Sequence, residues 1–274
     1  MSQAPERARR TVLVFAGADP SGGAGIAADI LAIGMQGAHA LPVLTAITVQ
    51  DNDRAYEVLP VDPDVVRRQA MALVKKVGIH AVKIGIPGNR ANAEVIAEVI
   101  RQLRVSSPAL PVVLDPVLAS GAGDALTRID ALTPLLALAS VILPNLPEAE
   151  ALGYAINTGT ASVAQQAASL RARGGADVLV TGGHAEGALV VNRWFGAHGE
   201  RRWEWPRLPG AFHGSGCTLA SAVAARLAVG DDIGQALGAA QHYCHRALAD
   251  AFSIAAGQRI PQRACPTNTL METP

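Results

Sequence analysis

Lysine is nearly missing from this 274-residue chain. It occurs only at Lys75, Lys76 and Lys83, and every other basic residue is arginine. Beyond Lys83, an anionic ligand must be met by arginine, a metal cation or backbone amides. Excess charge of either sign is also missing: Lys+Arg and Asp+Glu are 23 each. No global basic field exists to hold nucleic acid or an anionic membrane. No apolar run approaches the roughly 18–20 residues of a membrane-spanning helix. Cysteine is scarce, with Cys217, Cys244 and Cys265 outside any C-x-x-C spacing. That argues against a disulfide framework or zinc knuckle and for a reducing cytoplasm. The opening MSQAPERARR lacks the apolar middle of a secretory signal.

What is present is apolar and periodic. Hydrophobic residues make up 50% of the chain and charged residues 17%, ample for a large core. Strand-like runs at 11–17, 42–50, 80–86, 111–117, 140–145 and 176–183 alternate with helical patterns at 23–37, 61–78, 91–104 and 160–173. This rhythm predicts an α/β fold with a mainly parallel sheet and helices on both faces. Residues 188–206 alternate about a Gly-containing turn and read as a small edge hairpin. Helices at 214–229 and 232–254 follow. One domain is expected over 11–255, with loose termini at 1–10 and 256–274.

Polar residues collect where the strands end, which is where parallel sheets bind ligands. GADPSGGAG (17–25) offers close backbone approach and a helix start. It fits neither the dinucleotide nor the phosphate-loop pattern. Asp29 lies within the apolar helix that follows, so it must be paired or face a ligand. HGSGC (213–217) is a second glycine loop feeding a helix. Its amides and helix dipole suit a phosphoryl group in transfer. The same field would lower the Cys217 thiol toward thiolate. Asp115 ends the strand VVLDPV, and Glu148 follows Asn145 at a helix start. Two such carboxylates suit Mg²⁺, while Glu148 also suits a helix N-terminus. His242, Cys244 and His245 share one helix, and Trp203 and Trp205 share the hairpin. Both groups read as packing or surface rather than as metal ligands or stacking platforms.

In this order the motifs AGADPSGGAG, TAITVQ, VKIG, VLDPV, PNLPEAE, GGH and HGSGCTLASA resemble the ribokinase superfamily. Within it they resemble the hydroxymethylpyrimidine/phosphomethylpyrimidine kinases of thiamine biosynthesis, from about residue 11 to 250. The resemblance implies a ribokinase-like three-layer α/β/α sandwich. It also implies ATP- and Mg²⁺-dependent phosphorylation of a hydroxymethylpyrimidine and its monophosphate, in a cytoplasmic homodimer. On that basis Gly17, Asp29, Gln50, Ile86 and Val117 contact the pyrimidine. Asp115, Asn145, Glu148, Thr181 and Gly183 serve Mg²⁺–ATP, with Asp115 and Glu148 toward the metal, directly or through water. Gly214 and Gly216 form the anion hole, and Cys217 replaces the usual aspartate base. Two positions depart from the family: Thr181 and Gln241 stand where many members have lysine. A pyridoxal-type kinase and a non-catalytic pyrimidine-binding protein are the alternatives.

Overall fold

The computed structural model describes residues 8–121, 123–154 and 161–264. Its elements run β1 (Thr11–Ala18), α1 (Gly25–Met35), β2 (His39–Gln50), β3 (Ala55–Pro60), α2 (Pro63–Val74), β4 (Ala81–Ile84), α3 (Arg90–Ser106) and β5 (Val112–Leu114). There follow α4 (Ile129–Leu136), β6 (Val141–Ile142), α5 (Leu146–Tyr154), α6 (Val163–Arg171), β7 (Asp177–Val180), β8 (Leu189–Gly196), β9 (Gly199–Pro206), α7 (Ser215–Val229) and α8 (Ile233–Ala249).

The nine strands form one sheet in the order β3-β2-β1-β4-β5-β6-β7-β8-β9. The six central strands β2-β1-β4-β5-β6-β7 pair in parallel, whereas β3, β8 and β9 are antiparallel. The expected hairpin is β8–β9 at one edge. Strand β3 gives the opposite edge a second antiparallel pairing, with β2. Alternation along β1 shows how the layers form. Leu13 and Phe15 join a core shared with α2, α3, α4 and α6. Val12, Val14 and Ala16 join another with α1, α7 and α8. Burial of both faces explains why β1 is a continuous apolar run rather than an alternating one.

The chain leaves β1 for β2 on one side and later returns to β4 on the other. That reversal opens a crevice beyond the carboxyl ends of β1 and β4. Helix α7 enters the crevice by its N-terminus. Gly214 is its N-cap at φ 78°, and a Cβ there would lie 2.0 Å from the Gly23 carbonyl oxygen. Only glycine fits both constraints.

The expectation of a loose segment from residue 256 is corrected. Gln258, Ile260 and Arg263 are buried. Asn52 donates to the carbonyls of Ala256 and Gln258, and Arg259 exchanges backbone bonds with residues 211 and 213. The segment lacks periodicity because it is a strap, held by scattered main-chain bonds rather than by one apolar face. Cys265 lies outside the described residues.

Candidate active site

A cavity of about 190 Å³ occupies the crevice. Gly17, Gln50, Ile86 and Val117 line one part of it, and Asp115, Asn145, Glu148 and Thr181 another. Gly214, Gly216 and Cys217 close its far wall. A second cavity, of about 390 Å³, adjoins through shared Phe212, Ser215 and Leu219. Gly183 lines this second space, with Trp205, Arg207 and His245.

The two glycine loops are tied together. Asp19 accepts hydrogen bonds from the Ala24 amide at 2.6 Å and from the Ser21 amide at 2.8 Å. His213 Nε2 lies 2.8 Å from Asp19 Oδ2. Burial alone would raise the Asp19 carboxyl, but bonds from His213, Gln50 and Ser21 hold it well below the usual carboxylate range. Gln50 is thus fixed at the cavity edge by a carboxylate that stays charged.

Asp29 is placed differently from the expectation. It is fully buried and absent from the cavity wall. Lys83 Nζ lies 2.9 Å from its Oδ1, and Ser221 Oγ donates to it at 2.6 Å. Asp29 is therefore paired rather than ligand-facing, because Lys83 stands between it and the cavity. Lys83 lines the cavity and is not among the site residues expected from the sequence. A lysine inside the apolar strand HAVKIGI was its signal, the same one that singled out Asp29. The shortage of lysine is thereby corrected: one of the three sits on the cavity floor, contributed by β4 rather than by the C-terminal half. Burial would lower its ammonium, yet Asp29, Cys217 and Asp115 hold it above the ordinary value. It remains a cation.

Asp115 Oδ2 is 4.0 Å from Lys83 Nζ and is buried with no hydrogen-bond partner among the described residues. Burial raises the Asp115 carboxyl to about 6, against the pull of Lys83. Glu148 accepts from the Asn145 amide at 2.9 Å and the Leu118 amide at 3.3 Å. Asn145 Oδ1 in turn caps the Glu148 amide at 2.9 Å. Burial and the Asp115 charge raise the Glu148 carboxyl to about 7. An unpartnered buried oxygen beside a second raised carboxyl fits a hard divalent cation.

Cys217 is the third residue of α7. The expected low-pKa thiol is corrected: burial pushes it up to about 12, with Lys83 pulling down and Asp115 and Asp29 pushing up. Burial of the thiol is the leading cause, and the two carboxylates add to it. The first bond within α7 runs from the Thr218 amide to the Gly214 carbonyl. The amides of Ser215, Gly216 and Cys217 precede it and are the helix's open donors.

Trp203 stacks on Trp194 with ring centroids 6.3 Å apart, so it packs as expected. Trp205 does not only pack. It lines the second cavity, with its ring 4.8 Å from His242 and 5.1 Å from His245. Gln241, where lysine was expected, is buried and accepts from Asn192 Nδ2 at 2.9 Å, while Asn192 Oδ1 accepts the Gly182 amide at 3.0 Å. Among the described residues no cluster of three His, Cys, Asp or Glu side chains could hold a metal. The His242–Cys244–His245 triplet is no such site.

A fixed cation, two acidic groups and a helix N-terminus converging on one crevice define the class: a small-molecule kinase on a ribokinase-like α/β fold. Comparison with known proteins narrows this. Residues 19–262 match the phosphomethylpyrimidine kinase family, and the chain belongs to it. It is 36% identical over 252 residues to a hydroxymethylpyrimidine/phosphomethylpyrimidine kinase of Rhizobium meliloti, covering 90% of this chain and 93% of that one. Among solved structures it resembles a phosphomethylpyrimidine kinase from Clostridium difficile, with TM-score 0.71 and 29% identity over 85% of this chain and 97% of the other. It also resembles a Staphylococcus aureus pyridoxal kinase in complex with AMP-PCP and pyridoxal, with TM-score 0.81 and 26% identity over 93% and 94%.

Proposed function

We propose that this enzyme transfers the γ-phosphoryl group of ATP to the hydroxymethyl oxygen of 4-amino-5-hydroxymethyl-2-methylpyrimidine, and then to the monophosphate formed, in thiamine biosynthesis. The observation that carries the reading is the meeting of the α7 amides with Lys83, Asp115 and Glu148 in one cavity.

The pyrimidine lies between Gly17, Gln50, Ile86 and Val117. Gly17 has no side chain because Ile86 fills that space; a Cβ there would come within 2.6 Å of Ile86 Cδ1. ATP lies across the second cavity, with its phosphates toward Asn145, Thr181, Gly183 and the α7 N-terminus. Asp115 and Glu148 would hold Mg²⁺, which neutralises phosphate oxygens when bound. Lys83 and the Ser215, Gly216 and Cys217 amides stabilise the charge that builds on the transferring group.

In the first reaction the alcohol oxygen bonds to the γ-phosphorus, the bridging P–O bond to ADP breaks, and Cys217 takes the alcohol proton. Lys83 favours the thiolate, and the carboxylate charge of Asp115 that opposes it would be offset when Asp115 holds a divalent cation. In the second reaction a phosphate oxygen, already ionised, attacks another γ-phosphorus and needs little base catalysis. Asp29 acts indirectly, by holding Lys83.

We assign the enzyme to the cytoplasm, which suits Cys217 and Cys244 as free thiols. We also expect a homodimer through the β2–β3 edge, where Ile47, Val49, Tyr56 and Leu59 are exposed. A pyridoxal-type kinase is the second reading, supported by the likeness to the Staphylococcus aureus enzyme. ATP-dependent turnover of hydroxymethylpyrimidine and pyridoxal, assayed side by side, separates them. Turnover of pyridoxal alone refutes the pyrimidine assignment, and binding without turnover refutes the kinase.

A further inference from the structure

Arg263 comes from the strap, far from every glycine motif in sequence, and is buried. Its Nη2 donates to the Gly23 carbonyl and, at 3.3 Å, to the Gly214 carbonyl. Its Nε donates to Thr218 Oγ1 at 2.9 Å, and Thr218 Oγ1 donates to the same Gly214 oxygen at 2.7 Å. The backbone of Arg263 is itself fixed, since Tyr243 donates its phenol proton to the Arg263 carbonyl at 2.9 Å. None of the ion pairs among the described residues includes Arg263. Among the described residues this buried guanidinium is held by carbonyl and hydroxyl oxygens, with no carboxylate in ion-pair contact, so its positive charge is not neutralised by a direct partner.

Peptide planarity gives these bonds a consequence. The carbonyl of Gly214 and the amide of Ser215 belong to one rigid unit and point in opposite directions. Drawing the Gly214 oxygen back onto Arg263 and Thr218 turns the Ser215 amide, with the two that follow in the helix, toward the cavity. The guanidinium also places positive charge behind those amides, at the Gly214 carbonyl.

We infer that Arg263 is a positioning residue for phosphoryl transfer: it fixes the Gly214–Ser215 peptide and adds a buried cation behind the amides that receive the phosphate. This rests on the kinase reading above, which assigns Arg263 no part.

The test compares Arg263→Met, Arg263→Lys and Arg263→Ala with the wild type, each checked by thermal melting. Arg263→Met should lose about 10²–10³-fold in kcat, the scale of a lost oxyanion donor, with the pyrimidine KM changed by less than about threefold, since these amides meet the transferring group. Added guanidinium should restore part of the activity of Arg263→Ala, whereas urea, of the same shape without charge, should not. A folded Arg263→Met with wild-type kcat, or equal rescue by urea, overturns the inference. If the Arg263 variants do not fold, Thr218→Val breaks the same relay with one small change. It should lower kcat about tenfold at constant KM, the scale of one lost hydrogen bond; unchanged kcat overturns the inference. Should the wild type phosphorylate neither hydroxymethylpyrimidine nor pyridoxal, the proposed function fails on its own. Calorimetric titration of Mg·ATP then tests Arg263. Weakening by about tenfold or more in Arg263→Met, again the scale of one bond, supports the role, and equal affinity overturns it.

Discussion

Lys83 Nζ stands 2.9 Å from Asp29 Oδ1 and 4.0 Å from Asp115 Oδ2, with both lysine and Asp29 sealed from solvent. One ammonium thus serves a structural partner and a site partner. Replacing Lys83 by Met leaves Asp29 buried and uncompensated, which costs about 3–5 kcal/mol by the usual scale for a broken buried pair. Lys83→Met with Asp29→Leu should recover much of that stability, because an apolar pair of similar volume removes both charges. Activity should not return. Denaturant melts and kcat on the same preparations check this, and a double variant with normal turnover would remove Lys83 from the transfer step.

Cys217→Ala should slow phosphorylation of the alcohol by about 10²–10⁴-fold, the range for a lost general base. The second phosphorylation should be affected far less. The raised thiol adds a pH signature. A group whose pKa lies above the working pH gains base form as pH rises. The first rate of the wild type should therefore climb from about pH 6.5 to about pH 9, and Cys217→Ala should flatten that climb. Equal losses in both steps would argue for a shared packing role.

The acidic pair predicts proton release on metal binding. Asp115 at about 6 and Glu148 at about 7 are partly protonated near neutrality, and a divalent cation binds their ionised forms. Affinity for Mg·ADP should rise with pH between about 5.5 and about 8. Calorimetry in two buffers of different ionisation heat reads the protons directly, and none released would place the metal elsewhere.

The same shifts set a stability trend for the metal-free protein. Both carboxyls bind protons more tightly when folded than when unfolded. Their contribution is present at low pH and is lost as pH rises from the unfolded values, 3.8 and 4.5, through about 6 and 7. Glu148→Gln, which cannot ionise, should therefore gain on the wild type between pH 5 and pH 8. Chemical denaturation at both pH values measures the difference, and a constant difference would contradict the buried-carboxyl account.

Gly17→Ala tests the pyrimidine wall. Its Cβ would meet Ile86 Cδ1 at 2.6 Å, and the flexible end of Ile86 must swing into the cavity. The pyrimidine KM should rise about tenfold, the scale of one misplaced methyl group. Ile86→Val in the same chain should reverse most of the rise, while a KM unmoved by either change would put the ring elsewhere.

Much of this site was legible because local chemistry wrote it. HGSGC and DPSGG announce tight turns and helix starts wherever they occur, and Asp115 and Glu148 stand out at element ends. The edge strand Ala55–Pro60 was missed because its six residues end in proline and pair only through β2. Helix α4 was missed because Pro134 interrupts its pattern. The raised Cys217 thiol is not legible in the sequence because the helix dipole is a local signal, whereas the burial of the thiol and the carboxylates from α1 and from the residue after β5 are set by the fold. Arg263 gave no signal at all. Its partners lie 45, 49 and 240 positions away, and no pattern within a window of residues reports such contacts.

That last separation has a consequence for how the molecule comes into being. The Gly23 carbonyl is among the first parts of the crevice to leave the ribosome, and the guanidinium that receives it follows 240 residues later. Closing so long a loop is slow compared with forming a helix or hairpin. Throughout synthesis the turn at Gly214 stands without its brace. A nascent chain can therefore complete its sheet well before it gains catalytic power, and a single proteolytic cut within the strap would return a finished enzyme to that earlier state.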